Sequence, residues 1–441
     1  VALLALTTLP GCMGQDSGGG GFVSRMLMPD AAPVAEGLAP SADAQNQTEV
    51  SAVMRDLMAR RSALPQGSAL QQVADAVLAA DSRAAAAELR SARLRARAQA
   101  NNWLPSIGPQ VSLNSLGSVV ALLVVEQVLF DNGRKKAERD FAKADVEVAA
   151  VSLVQDANAR VLHALTLYLT AREAQDKAAL AQAADRDMSH FEWIMAERVK
   201  GGISDPSDLQ VLAAKLAQIR ATRESETETA RAALAELGAM GVSPALLEQV
   251  LSVQPAFVDQ PLPLPQPAPV ALSVRLAETE QTRAEARARA ERAGLLPGLT
   301  ATGALGRDAP DPSLDIRLAR PLGLGTGDDL RAIDAATEAG RRKVTQSREE
   351  AERRLARLAQ ERMALARQAT EATVLTGRAK ANLDLFQVQY DEGQRQVMDV
   401  VGLYEQFAQQ QHLATTLRYR AMLANLRSAA ELGLLADGDR L

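Results

Sequence analysis

Three histidines and a glycine-spaced PLGLGTGDD segment are the residues of this 441-residue chain that would first suggest a reaction. His163, His190 and His412 lie far apart in stretches of helical pattern. A metal site needs ligands at short, fixed spacings, such as two histidines one helical turn apart. Each histidine therefore reads as a helix-surface or packing residue. No G-x-S-x-G nucleophile turn and no phosphate-cradling loop occurs. Gly323, Gly325 and Gly327 could suggest such a cradle, but they align with Asp131-Asn132-Gly133 on an internal repeat and read as a strand-to-helix bend. No catalytic residue, metal or cofactor is expected.

The single cysteine suggests a different chemistry. VALLALTT is apolar and runs into Leu9-Pro10-Gly11-Cys12, a pattern similar to a bacterial lipoprotein cleavage site. On that reading residues 1–11 are a signal remnant, and Cys12 becomes an acylated N-terminus that holds the chain to a membrane. The competing reading is an ordinary secretory signal with a chance cysteine. One cysteine makes an intrachain disulfide framework impossible. The net charge of −5 mixes both signs finely, leaving no basic footprint for nucleic acid. No apolar run reaches the roughly 18–20 residues of a membrane-spanning helix. Aromatics are only 3%, while Ala, Leu, Gln, Glu and Arg fill long stretches, a composition of long packed helices.

Those helices come in a duplicated order. RVKGGISDPSDL (198–209) and QYDEGQRQVMDV (389–400) both hold a glycine and an aspartate six positions apart. Gly393 follows Gly202 by 191 residues, and Asp399 follows Asp208 by the same interval. ARLRARAQANNWLPS (92–106) aligns with AEARARAERAGLLPG (284–298) at an offset of 192, matching Arg95 with Arg287 and Arg97 with Arg289. Leu209, Leu212, Ala213 and Leu216 map onto Val400, Leu403, Tyr404 and Phe407, one apolar face of a helix in each case. The chain divides into a tether at 12–68, a first repeat at 69–257, a Pro-rich connector at 258–270, a second repeat at 271–436 and a tail at 437–441.

Each repeat reads as helix, two strands, long helix, turn, helix. The first helix is expected over 69–101, and residues 134–200 contain no Gly or Pro for 67 positions. At ~1.5 Å per residue that helix is about 100 Å long, far beyond a globular one. Its counterpart is expected from Asp328 to Gln389, with Gly340 and Gly377 as weak points. The strands fall at 107–115, 119–129, 299–305 and 313–320, where apolar and polar residues alternate. About ten residues is also the length of a transmembrane β-strand. Four such strands cannot close a barrel, so a membrane role requires several chains to share one.

Taken in order on this frame, VLFDNGRKKAERDFAKADVEVA (128–149), the two turns and LRYRAMLANLRSAAELG (417–433) resemble the TolC-like outer-membrane efflux proteins. The resemblance implies a mainly α fold with a small β part, in which long antiparallel coiled-coil helices continue a transmembrane β-barrel built by a homotrimer. It implies no enzyme but a passive outer-membrane channel. That channel would serve a periplasmic membrane-fusion adaptor and an inner-membrane transporter in efflux or type I secretion, with outer-membrane lipid around the barrel. The two turns would be the periplasmic tips. By position, Tyr390 and Arg395 match gate residues and Asp208 their acceptor on the neighbouring hairpin. Arg198, Gly202, Asp205, Gly393 and Asp399 are tip residues near an adaptor. Gly402 stands where the best-known member has a further gate aspartate. A coiled-coil lipoprotein that tethers envelope layers is the competing reading; it accounts for the helices and Cys12 but not for the strands.

Overall fold

The computed structural model describes residues 51–80, 84–113, 119–252, 262–305, 313–318 and 323–438. Cys12, the signal remnant and the tether up to residue 50 lie outside these ranges, as do Asn114 and the connector residues 258–261.

The element that sets the scale is α4 (Arg134–Lys200). It follows α1 (Ala52–Ala59), α2 (Ala69–Ala79), α3 (Ala84–Ala100), β1 (Ser106–Leu113) and β2 (Val119–Phe130). The chain enters α4 through Asn132 and Gly133, at φ 54° and 82°. The Asp131 carboxylate accepts from the Gly133 and Lys135 amides at 3.1 and 2.7 Å, satisfying donors that a helix start leaves open. With no Gly or Pro inside, the helix runs uninterrupted. Arg198 and Lys200 sit in its last turn, where cations favour the dipole. A short turn leads to α5 (Pro206–Ala239), then α6 (Pro244–Ser252).

The second repeat follows as α7 (Leu272–Gly294), β3 (Pro297–Leu305), β4 (Ser313–Leu318), α8 (Thr326–Asp391) and α9 (Val397–Glu431). In α8 neither Gly340 nor Gly377 interrupts the helix. A single interior glycine costs only about 1 kcal/mol relative to alanine, which the remaining ladder of a 66-residue helix absorbs. Gly323 to Thr326 form the expected bend, with the Thr326 hydroxyl accepting from the Gly323 amide at 2.9 Å.

The fold differs from expectation in two places. The helix expected over 69–101 is two helices, because its halves have different neighbours: α2 packs into the middle of the bundle and α3 along α4. Arg160 donates from Nε to the Val77 carbonyl at 3.1 Å, taking an acceptor that a continuing helix would use. Gly241 presses on Ala80 so closely that a Cβ there would lie 2.2 Å from the alanine methyl. The second difference is in the segment given to the tether. From Ser51 onward it is folded: Leu57, Ala63 and Leu64 are buried, and Arg60 donates to the Leu432 and Val270 carbonyls at 2.7 and 2.9 Å.

Among the described residues, the two largest apolar clusters hold the columns. In the middle, Leu70 and Val77 of α2 meet Leu165 and Tyr168 of α4 and Met422 and Leu426 of α9. Near the turns, Met188 and Phe191 of α4 meet Leu212 and Leu216 of α5 and Val400, Val401 and Phe407 of α9. A fully buried leucine such as Leu165 contributes about 2–3 kcal/mol.

Candidate functional site

At one end of the columns the four strands form a single antiparallel sheet in the order β1-β2-β3-β4. Residues opposite one another in such a ladder share a face. One row aligns Ser106, Glu126 and Thr302 with the register position of Ser313, and Thr300 lies level with the register position of Asp315. The alternate rows align Ile107 with Val125, Pro109 with Leu123 and Leu305, and Leu299 with the register position of Ile316. β2 departs from this segregation, since Leu122, Val124 and Val128 share the side of Glu126. A bulge between Val128 and Phe130 shifts the register at its end.

Among the described residues nothing covers this sheet. Every strong contact of a strand is with another strand. Among the described residues of β1 to β3 only Thr300 is buried, while Ile107 and Leu305 are each 66% exposed. β1 and β4 each have one paired edge and one open edge. Trp103, just ahead of β1, is also exposed, and its carbonyl accepts from Gln127 Nε2 at 3.0 Å. No helix is long and apolar enough to cross a membrane among the described residues.

At the other end, two hairpin tips repeat the same construction. The turns after α4 and α8 hold Gly202 and Gly393 at φ 70° and 76°, a conformation in which side chains with a Cβ are strained. Asp208 and Asp399 then occupy the same third position of the following helix. Asp399 forms a capping box, accepting from the Gln396 amide at 3.3 Å. In the first tip the backbone cap is Asp205 instead: its carboxylate accepts from the Ser207 amide at 2.7 Å, which holds it below the usual carboxylate range. Pro206 follows at the first helical position, where its missing N–H costs nothing.

Of the remaining tip residues, Arg198 and Arg395 are held within their own hairpins, while Tyr390 packs across onto α4 of the other. Arg198 donates to the Ser204 hydroxyl at 3.2 Å. Tyr390 meets Phe191 edge-on, with ring centroids 6.5 Å apart. Arg395 lies 4.4 Å from the Phe386 ring centre and donates to Gln389 at 3.1 Å. Within one chain neither Tyr390 nor Arg395 is hydrogen-bonded to Asp208. A further layer of contacts links the helices above the tips. Tyr404 donates to Asp187 and Tyr419 to Asp176, both at 2.7 Å, and Lys215 pairs with Glu405. These bonds tie α9 to α4 and α5. Burial pushes both phenols well above their ordinary range, and the adjacent carboxylates add to the shift. The period placed Tyr404 on the apolar face of its helix, but no local signal names a partner more than 200 residues away.

The histidines do not converge. His163 lies 2.9 Å from Glu236, His190 stacks on Trp193, and His412 is held below the usual imidazole range by burial and by Lys177. No cluster of metal-ligating side chains occurs among the described residues.

No family model matches the sequence, and no curated protein matches it. Solved structures do resemble the fold. The outer-membrane channel OprN is 16% identical with a TM-score of 0.68, covering 85% of this chain and 93% of its own. The outer-membrane protein VceC of Vibrio cholerae is 16% identical at a TM-score of 0.66, over 82% of this chain and 96% of its own. The open state of the Neisseria gonorrhoeae MtrE outer-membrane channel is 17% identical at a TM-score of 0.65, over 93% and 98%. The chain thus has the fold of the outer-membrane channels, mainly α with a small antiparallel sheet.

Proposed function

We propose that this chain is one third of a trimeric outer-membrane channel that passively conducts cargo delivered by an inner-membrane pump and a periplasmic adaptor. One observation carries the reading: among the described residues the four-stranded sheet has no covering element, is apolar along one set of rows, and has an open edge at each side. In water such a sheet exposes apolar area and two unpaired strand edges, which is a liability. In a membrane the same features are requirements. Lipid covers the apolar rows, and pairing β4 of one copy with β1 of the next removes every edge. The hairpin columns then continue the barrel as a tunnel, as the shared fold with OprN, VceC and MtrE supports.

Acylation of Cys12 would add a lipid anchor beside the barrel. Asp208 on one hairpin would accept from Tyr390 and Arg395 of a neighbouring one, closing the tunnel at its tips. Because those two residues do not reach Asp208 within a chain, such a link would have to join different copies. Arg198, Gly202, Asp205, Gly393 and Asp399 would form the surface an adaptor meets. The test is reconstitution of the full-length protein in planar bilayers, with its mass measured in detergent. A heat-dissociable trimer with single-channel conductance is expected. A water-soluble monomer that conducts nothing would refute the reading and return the envelope-tethering alternative.

A further inference from the structure

Just below the sheet, α3 packs on α4, α4 on α7 and α7 on α8. The helices at the two ends of this row are therefore α3, beneath the open edge of β1, and α8, beneath the open edge of β4. The contact inside the row between α4 and α7 lies under the β2–β3 pairing and joins the two repeats. It shows how one repeat seats on the next. Ala286 on α7 is fully buried, at 0% exposure, and Arg289 and Arg283 reach Asp140 and Asp145 of α4 at 3.7 and 2.8 Å.

The repeat offset carries this contact to the chain's own ends. The equivalents of Ala286 and Arg289, 192 residues earlier, are Leu94 and Arg97 on α3. Leu94 is 57% exposed, and Arg97 has no ion-pair partner among the described residues. The equivalent of Asp140, 192 residues later, is Ala332 on α8. Around it Ala332, Ile333 and Ala336 form a stripe of small and apolar residues. Asp329, one turn from Ala332, likewise has no ion-pair partner among the described residues. Helices in antiparallel contact keep a constant sum of facing residue numbers, and here the two shifts cancel. Arg97 therefore stands level with Ala332, and Leu94 between Ala332 and Ala336.

We propose that this is the seam between copies: Leu94 of one copy enters the Ala332, Ile333 and Ala336 stripe of the next, and Arg97 pairs with Asp329 at its rim. The proposal rests on the trimeric reading above and deepens it by naming the surface. A second copy is the occupant because joining β4 to β1 across copies brings α8 and α3 side by side. The two faces are complementary as well, a large apolar side chain facing small ones and a cation facing an anion.

The test introduces Leu94→Cys and Ala336→Cys together in the full-length chain and oxidises the detergent-solubilised protein mildly. Helices this close bring cysteine pairs within the Cα separation a disulfide needs, about 4.4–6.8 Å. Reduction-sensitive species of two and three chains are expected, with each single variant uncrosslinked. Arg97→Asp should raise the concentration at half-assembly about fivefold, as two like charges replace an attractive pair. Arg97→Asp with Asp329→Arg should restore it. A trimer by mass that neither cross-links nor responds to these reversals would overturn the seam and leave the channel reading intact. A monomeric parent protein would overturn both.

Discussion

Tyr404→Phe isolates one bond in the region where the two hairpins of a chain approach the tips. Its hydroxyl donates to the Asp187 carboxylate at 2.7 Å, while its ring meets Phe407 edge-on, with centroids 6.2 Å apart. The substitution removes the oxygen and keeps the ring. A hydrogen bond to a charged acceptor is worth about 1.5–3 kcal/mol, and the lower end applies because exposed Asp187 can rehydrate. About 1.5 kcal/mol corresponds to roughly a tenfold change in an equilibrium constant. If the hairpins separate when the tunnel opens, the open fraction in planar bilayers should rise by about that factor at each chain. Tyr419→Phe supplies the control. It removes an equivalent bond to Asp176, 2.7 Å long, 15 residues further along α9 and so about 22 Å from the first. Both variants should lower the denaturant midpoint by similar amounts, but only Tyr404→Phe should change opening. Equal opening in the two variants, or none in Tyr404→Phe despite a lowered midpoint, would refute the idea that this bond holds the tip region together.

Other outcomes follow from the same geometry. Asn158→Ala should cost about 1–3 kcal/mol in denaturant unfolding, since the buried Asn158 side chain accepts from the Leu435 amide at 2.8 Å and the deletion strands that donor. Gly202→Ala and Gly393→Ala should each cost about 1 kcal/mol, and by nearly equal amounts. At both sites a new methyl meets nothing within 4 Å, so only the positive φ opposes it. Alkaline titration should destabilise the fold in a defined window. Burial raises the Tyr168 phenol to about 12 and lifts Tyr404 and Tyr419 too, so the folded chain holds these protons more tightly than the unfolded one. Their contribution is complete below about pH 10, the unfolded value, and fades as the pH climbs through the folded values. Urea midpoints flat to pH 10 and falling above it are expected; a fall centred near pH 8 would contradict this.

The sequence by itself determined the repeat and most of its elements. The absence of Gly and Pro over 134–200 permits one unbroken helix, and Gly202 and Gly393 mark where the backbone must turn. Alternation marks the strands because side chains on a strand point to opposite faces at period two. These signals are local, carried by the conformational preferences of residues within a few positions of one another. What the tertiary structure decided depends on neighbours distant in sequence. The break near Ala80 has no Gly or Pro to announce it; it arises where Arg160 takes a carbonyl and Gly241 presses in from another part of the chain. The fold of 51–68 is set by Arg60 reaching carbonyls of residues 432 and 270. At the tips the spacing found Asp208 and Asp399, yet Asp205 is the first cap, because Pro206 fixes where that helix begins. The strand order, the bare faces of the sheet and the tyrosine–aspartate ties are pairings across up to 243 residues, which no single stretch of sequence encodes.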